Sequence, residues 1–304
     1  MVAGSAAPAW EPSGVLVFSG QSRYNNVQTF LPTMFETRDS VNILSRLQAW
    51  GAWLTSDPIG FLVFILYYAV AILTTLVLHE VAHGYVAYRC GDPTAKMLGR
   101  LSLDPRKHLD PFGTISLVLL GFGWAKPVPV NPRNFRGDYR KADFLVSIAG
   151  VTTNLTLFIV SLFLATLINP LLWKPEVLQY YGAQQLLSSD GVAFGAIVYG
   201  QVDASLLATP WLMHVQRFLL LFATMNLTIA VFNLLPIPPL DGFHVLNDLI
   251  LKGKLTMNQP FFQFAQIALL VLVFSGALSG ILQTVTGAIE GGVLHLFLLA
   301  EGAA

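Results

Sequence analysis

The sequence predicts an all-α polytopic membrane protein: a transmembrane helix bundle with one short re-entrant or β-like membrane-associated segment. Three observations carry that expectation. Hydrophobic residues make up 54% of the chain and charged residues only 11%, where a soluble domain carries about 25% charged residues; the mean hydropathy is +0.62. Several uncharged runs are long enough to cross a hydrocarbon core, which takes about 20 helical residues. Between two of them lies Ala125-Lys-Pro-Val-Pro-Val-Asn-Pro132, whose prolines forbid helix and favour an extended, edge-like course.

The elements follow in order. Residues 1–58 form an N-terminal extension. Its apolar run at 15–18 is too short for a signal peptide, and residues 1–20 carry no basic side chain. Residues 41–54 have apolar positions at helical spacing with Trp50 and Trp53 near the end; an interfacial helix and a helix packed on the bundle fit equally. Residues 59–78 are uncharged and of spanning length, and the helix should continue to Arg89, with Gly91 and Pro93 ending it. A polar, basic stretch follows. Residues 112–124 are apolar but short and glycine-rich, which suits a re-entrant or interfacial segment.

The second uncharged span covers 144–168, holds Ser147, Gly150, Thr152, Thr153 and Asn154, and is expected to stop at Asn169-Pro170. Residues 171–210 read as a loop. The third span covers 218–240 and contains Asn226, Asn233, Pro236, Pro238 and Pro239. A fourth apolar stretch, 260–289, is more than long enough to cross, and 293–300 would return part-way. Gly276-x-x-x-Gly280 within the fourth stretch is the small-residue spacing of close helix contacts, within the chain or between two copies in a homo-oligomer.

Lys and Arg concentrate in residues 89–141 and recur at Lys252 and Lys254, while the loop between the second and third spans is poor in them. The positive-inside rule places those basic regions in the cytoplasm, which suits a cell-membrane protein. The end of the first span and the end of the third then meet on one side. The formal net charge of +0 speaks against a nucleic-acid partner. Cys90 alone allows neither an intramolecular disulfide nor a thiolate metal cluster.

The chemistry begins at His79-Glu80-Val81-Ala82-His83, at the end of the first span. Histidines four apart share one helical face, so both imidazoles can reach one metal ion, and H-E-x-x-H on a helix outlines a zinc site with the glutamate as base. Catalytic zinc takes three protein ligands and water, so one donor is missing. It must come from a helix ending on the same side. Asn233-Leu-Leu-Pro-Ile-Pro-Pro-Leu-Asp241-Gly242 offers Asp241 after a proline break. From the residues alone, Asp241 fits a metal ligand and a helix N-cap equally well.

These two motifs, in order on separate spans, resemble the site-2 protease family of intramembrane zinc metalloproteases. The run Phe122-Gly-Trp-Ala-Lys-Pro-Val-Pro-Val-Asn131 and Gly150-x-x-x-Asn154 resemble that family too. The resemblance covers roughly residues 60–250. It implies one zinc per chain held by His79, His83 and Asp241, with Glu80 as general base and Asn233 placed toward the substrate carbonyl. It further implies transmembrane protein substrates, with residues 59–250 as a metalloprotease core and 251–304 as C-terminal membrane segments. Asn154 reads as a support for the ligands or as helix glue, and Asn233 also fits a plain inter-helix hydrogen bond. His244 departs from the small residue or arginine the family leads one to expect. No stretch has the length of a PDZ or nucleotide-sensing domain, so a minimal core is expected. The rival functions are a metalloprotease completed by a later glutamate, and a catalytically silent membrane chaperone or metal carrier, against which the intact Glu80 speaks.

Overall fold

A computed structural model describes residues 43–111, 113–114, 124–187, 192–255 and 258–302. Most of the N-terminal extension and most of the expected re-entrant segment at 112–124 lie outside those residues. Among the described residues the regular structure is helical, joined by two isolated antiparallel bridges, Leu109–Ala125 and Trp173–Leu207, without a strand. Four helices among the described residues are long and apolar enough to cross a membrane.

Helix α1, Ile43–Ser56, leads into α2, Pro58–Arg89. Asp57 caps α2 by accepting from the Gly60 amide at 3.0 Å, and Pro58 sits where its missing N–H costs nothing. Trp53 is buried, with its ring edge-on to Phe61 at 5.6 Å and 5.7 Å from Tyr199, so α1 packs on the bundle. On α2, Ile59, Leu62, Leu66 and Val70 form an exposed stripe at helical spacing. An outward apolar face of this kind suits lipid rather than water. The helix ends at Cys90, and Gly91 follows with φ +106°, as the sequence leads one to expect. The short helix α3, Thr94–Met97, and a 3-10 turn at Pro105–Lys107 lie in the polar stretch that follows, and a second 3-10 turn, Pro132–Asn134, precedes the next long helix.

Helix α4, Tyr139–Leu172, is the hub of the bundle, packing against α2 and the two helices that carry the rest of the site. Its buried residues include Val146, Gly150, Asn154, Phe158, Leu162 and Ala165, which recur at three and four. Asn169-Pro170 does not stop it as expected: Pro170 lies inside the last turn. Asn169 holds that turn from both sides, accepting from Trp173 Nε1 and donating to the Ala183 carbonyl, each at 3.0 Å.

The expected loop at 171–210 holds three short helices, α5 (Pro175–Tyr181), α6 (Ala183–Leu187) and α7 (Val192–Tyr199). Their Leu186, Leu187, Ile197 and Tyr199 are buried in the core with Phe64 and Leu221. Such runs are too short for periodicity to separate them from loop. Helix α8, Leu212–Asn233, starts earlier than the uncharged run and ends before the prolines. The early start escapes a charge-based reading because Arg217 is buried in it, donating from Nε to the Val198 carbonyl at 2.8 Å and lying 5.0 Å from the Tyr67 ring centre.

Helix α9, Asp241–Leu249, runs against α4. The expected fourth span is two helices, α10 (Gln259–Phe274) and α11 (Ser279–Gly302), and the second of them is the fourth long apolar helix. Residues 293–300 are therefore its end, not a separate return. The break falls where Gly276 takes φ +74° and Ser275 Oγ donates to the Leu272 carbonyl at 3.0 Å; serine hydroxyls compete in this way with helix bonding. Gly276 thus lies in a turn and Gly280 in the first turn of α11, so the pair does not make a small-residue face on one helix.

Candidate metal centre

His79 and His83 leave α2 one turn apart with ring centres 4.6 Å apart and planes at 77°. Their Nε2 atoms stand 3.0 Å from each other. Asp241 Oδ2 lies 3.3 Å from His79 Nε2 and 3.2 Å from His83 Nε2. Helix α9 takes Leu240, not Asp241, as its N-cap, and no side chain caps it. The aspartate is therefore not spent on the helix end.

The local sequence explains the approach. Prolines at 236, 238 and 239 cannot continue α8, so the chain turns and starts α9 beside the turn it has just left. The fit is tight: a Cβ at Gly242 would lie 2.6 Å from the Leu235 carbonyl oxygen and closer still to that of Leu234. Only glycine lets the two segments pass so near.

The residues present fit a zinc ion. Ligands at about 2.0–2.1 Å from a tetrahedral zinc stand about 3.3–3.4 Å apart, and the three donor atoms here stand 3.0–3.3 Å apart. Two imidazoles and a carboxylate are also a zinc-type donor set. His83 Nδ1 lies 2.7 Å from the Val146 carbonyl. A carbonyl cannot donate, so Nδ1 carries the proton and Nε2 presents its lone pair. Asp241 Oδ2 is buried without a hydrogen bond and faces the two Nε2 atoms.

Helix α4 supports the histidines. Asn154 is fully buried, its amide end 3.2 Å from His79 Nδ1. Ligation through Nε2 requires the Asn154 carbonyl oxygen there, accepting from Nδ1–H; that oxygen otherwise has no partner, and the two amide orientations differ by a flip. At Gly150 a Cβ would meet His83 Nε2 and lie 2.5 Å from His79 Cε1. The missing side chain is the space the imidazoles occupy.

Glu80 Oε2 accepts from the Val128 amide at 2.8 Å. Asn233 ends α8 half-buried and turns its Nδ2 back to the Ile229 carbonyl at 3.0 Å, leaving one N–H to point elsewhere. His244 lies 3.6 Å from Asp143 Oδ2, and that carboxylate raises the His244 pKa against the opposing effect of burial. His108 is buried and donates to the Ser102 carbonyl at 2.7 Å, tying its loop. His214 pairs with the Tyr67 hydroxyl at 3.0 Å, and His295 is exposed on α11. The Val146 carbonyl escapes a sequence reading because every residue has one, and the contact of the Val128 amide with Glu80 because the two lie 48 positions apart.

A helical membrane bundle with H-E-x-x-H on one span and an aspartate brought to it from beyond another defines a membrane-embedded zinc metalloprotease. Residues 67–276 match Peptidase family M50. YwhC of Bacillus subtilis (strain 168), provisionally named a zinc metalloprotease, is 36% identical over 234 residues, covering 76% of this chain and 90% of that protein. Rip2 of Mycobacterium tuberculosis (strain ATCC 25618 / H37Rv), named in the same provisional way, is 30% identical over 242 residues, 76% of each chain. Rip2 of Mycolicibacterium smegmatis is 25% identical over 236 residues, 75% of each. No solved structure matches the chain. The chain belongs to Peptidase family M50, the site-2 protease family.

Proposed function

We propose that the protein is an intramembrane endopeptidase that hydrolyses peptide bonds in or near the transmembrane helices of membrane-protein substrates. The observation that carries it is the meeting of His79 Nε2, His83 Nε2 and Asp241 Oδ2 at 3.0–3.3 Å, beside Glu80, at the end of a membrane-length helix. These three residues would hold one zinc ion, which when bound supplies Lewis acidity toward water and a carbonyl. Residues 59–250 act as the core, 1–58 as an extension packed on it through α1, and 251–304 as C-terminal membrane segments. The site lies toward the cytoplasmic side of a cell membrane, an orientation supported by the basic residues between Arg89 and Lys141.

In this reading Glu80 takes a proton from the attacking water and returns it to the leaving amine. Asn233 turns its remaining N–H toward the substrate carbonyl as negative charge develops there. The membrane helix being cut must unwind first, because its amides are bonded internally. Incubating the zinc-loaded protein in proteoliposomes with a single-span substrate tests the proposal. Cleavage near the membrane, lost in Glu80→Gln and after chelation, is the expected result. Cleavage of soluble peptides only would refute the intramembrane part.

A further inference from the structure

We propose that residues 126–131 are a brace that sets the Glu80 carboxylate, and that Arg100 and Asp92 are positioning residues acting on the reaction through it. The proposal rests on the reading of Glu80 as the base. It starts from where the backbone groups of this run go. Pro127 and Pro129 flank Val128 and have no N–H, so between Lys126 and Val130 only the Val128 amide can donate. That amide meets Glu80 Oε2 at 2.8 Å. Lys126 donates to the His108 carbonyl at 2.8 Å, and Asn131 to Asp92 Oδ2 at 2.6 Å. The Lys126, Val128 and Asn131 donors turn inward, onto the end of α2 and its neighbours. This is the pattern of a fixed strut.

Both ends are anchored. Arg100 Nη2 donates to the Lys126 carbonyl at 2.8 Å and to the Pro127 carbonyl at 3.1 Å. The Pro127 carbonyl belongs to the same peptide unit as the Val128 N–H. One peptide plane therefore has a guanidinium on its oxygen and the Glu80 carboxylate on its nitrogen, an arrangement in which each contact polarises the other. At the far end Asp92 is fully buried. It accepts from Asn131 N, from Asn134 Nδ2 at 2.8 Å and from Thr94, while Arg136 N donates to the Cys90 carbonyl at 2.8 Å. The Val128 side chain seats where Gly84 leaves room: a Cβ there would lie 2.8 Å from Val128 Cγ1. Gly84 is one turn beyond Glu80 on the same helix. With Oε2 held by the brace, Oε1 is left to face the reacting water.

Arg100→Gln removes the guanidinium at a site that is only half-buried, and Asp92→Asn weakens the other anchor. With the full-length zinc-loaded protein in nanodiscs and a membrane-span substrate, Arg100→Gln should lower kcat about 10–100-fold while KM stays within about twofold, the size expected for misplacing a catalytic group by up to an ångström. Zinc content and melting temperature should hold, and Arg100→Lys should recover part of the rate. The independent readout is amide hydrogen exchange at Val128. It should speed up in Arg100→Gln, in Asp92→Asn and in Glu80→Ala, because the contact is reciprocal. Unchanged exchange at Val128 in Arg100→Gln and Glu80→Ala would overturn the brace, as would a loss that falls on KM, which would make the run a substrate-binding surface. Failure of Glu80 as the base would show separately, as turnover by Glu80→Gln.

Discussion

Gly150→Ala is the sharpest test of the proposed metal centre, because it adds one methyl group against the donor atoms and nothing else. The new Cβ would meet His83 Nε2 directly and lie 2.5 Å from His79 Cε1 and 2.7 Å from His79 Nδ1. Carbon contacts settle at about 3.5–4.0 Å, so the rings must withdraw by about 1 Å. Functional sites tolerate misplacement of about 0.5 Å. His83 cannot withdraw freely, since its Nδ1 is held by the Val146 carbonyl on the same α4 helix. Support-group changes at metal sites cost about 10–100-fold in affinity, which is about 1.4–2.8 kcal/mol. The helix itself gains, because alanine is favoured over glycine in a helix interior by about 1 kcal/mol. The substitution should therefore weaken zinc retention, and the metal-free protein should lose about 1–3 kcal/mol to overpacking, partly offset by the helix gain. Zinc retained against graded chelator, measured on detergent-solubilised protein, gives the first quantity, and the melting temperature after metal removal gives the second. Wild-type retention would show that the imidazoles are not held where Gly150 leaves room for them, and would undo the proposed site.

Other outcomes follow from the same geometry. Glu80→Gln should cost at least about 100-fold in cleavage, within the range of general-base contributions, with zinc content unchanged by metal analysis. His79→Ala with His83→Ala should abolish zinc binding outright, and full retention would remove the assignment. Gly242→Ala should destabilise by about 1–3 kcal/mol, because the Leu234 and Leu235 carbonyls that its Cβ would meet belong to the backbone and cannot swing aside; a thermal melt reads it. Replacing Pro236, Pro238 and Pro239 with alanine should weaken zinc affinity without altering membrane insertion, and wild-type affinity would show the prolines to be passive.

The parts that could be read from the sequence obey a period or lack an alternative. Histidines four apart on a helix must share a face, so His79 and His83 were legible before any coordinates. Asp241 was half-legible: the prolines located a break, but capping and ligation looked alike until Leu240 took the cap. The span boundaries suffered where one residue carried two meanings. Arg217 argued against a span, yet its charge is buried against a carbonyl and the Tyr67 ring. Pro170 argued for a helix end, yet Asn169 bonds on both sides of that turn. Gly276 suggested close helix packing, while its positive φ makes it a break. The flanking prolines mark the Val128 amide as an isolated donor, but its partner Glu80, like the partner of the Val146 carbonyl, is set by position in space alone.

The order of the proposed donors along the chain has a consequence for synthesis. His79 and His83 are made with the first long span, whereas Asp241 follows only after two further spans and the proline turn behind the second of them. Until then the emerging chain carries an H-E-x-x-H helix without the third of its proposed donors. On the proposed ligand set, the metal centre cannot be complete before the third long span and the turn behind it have been made.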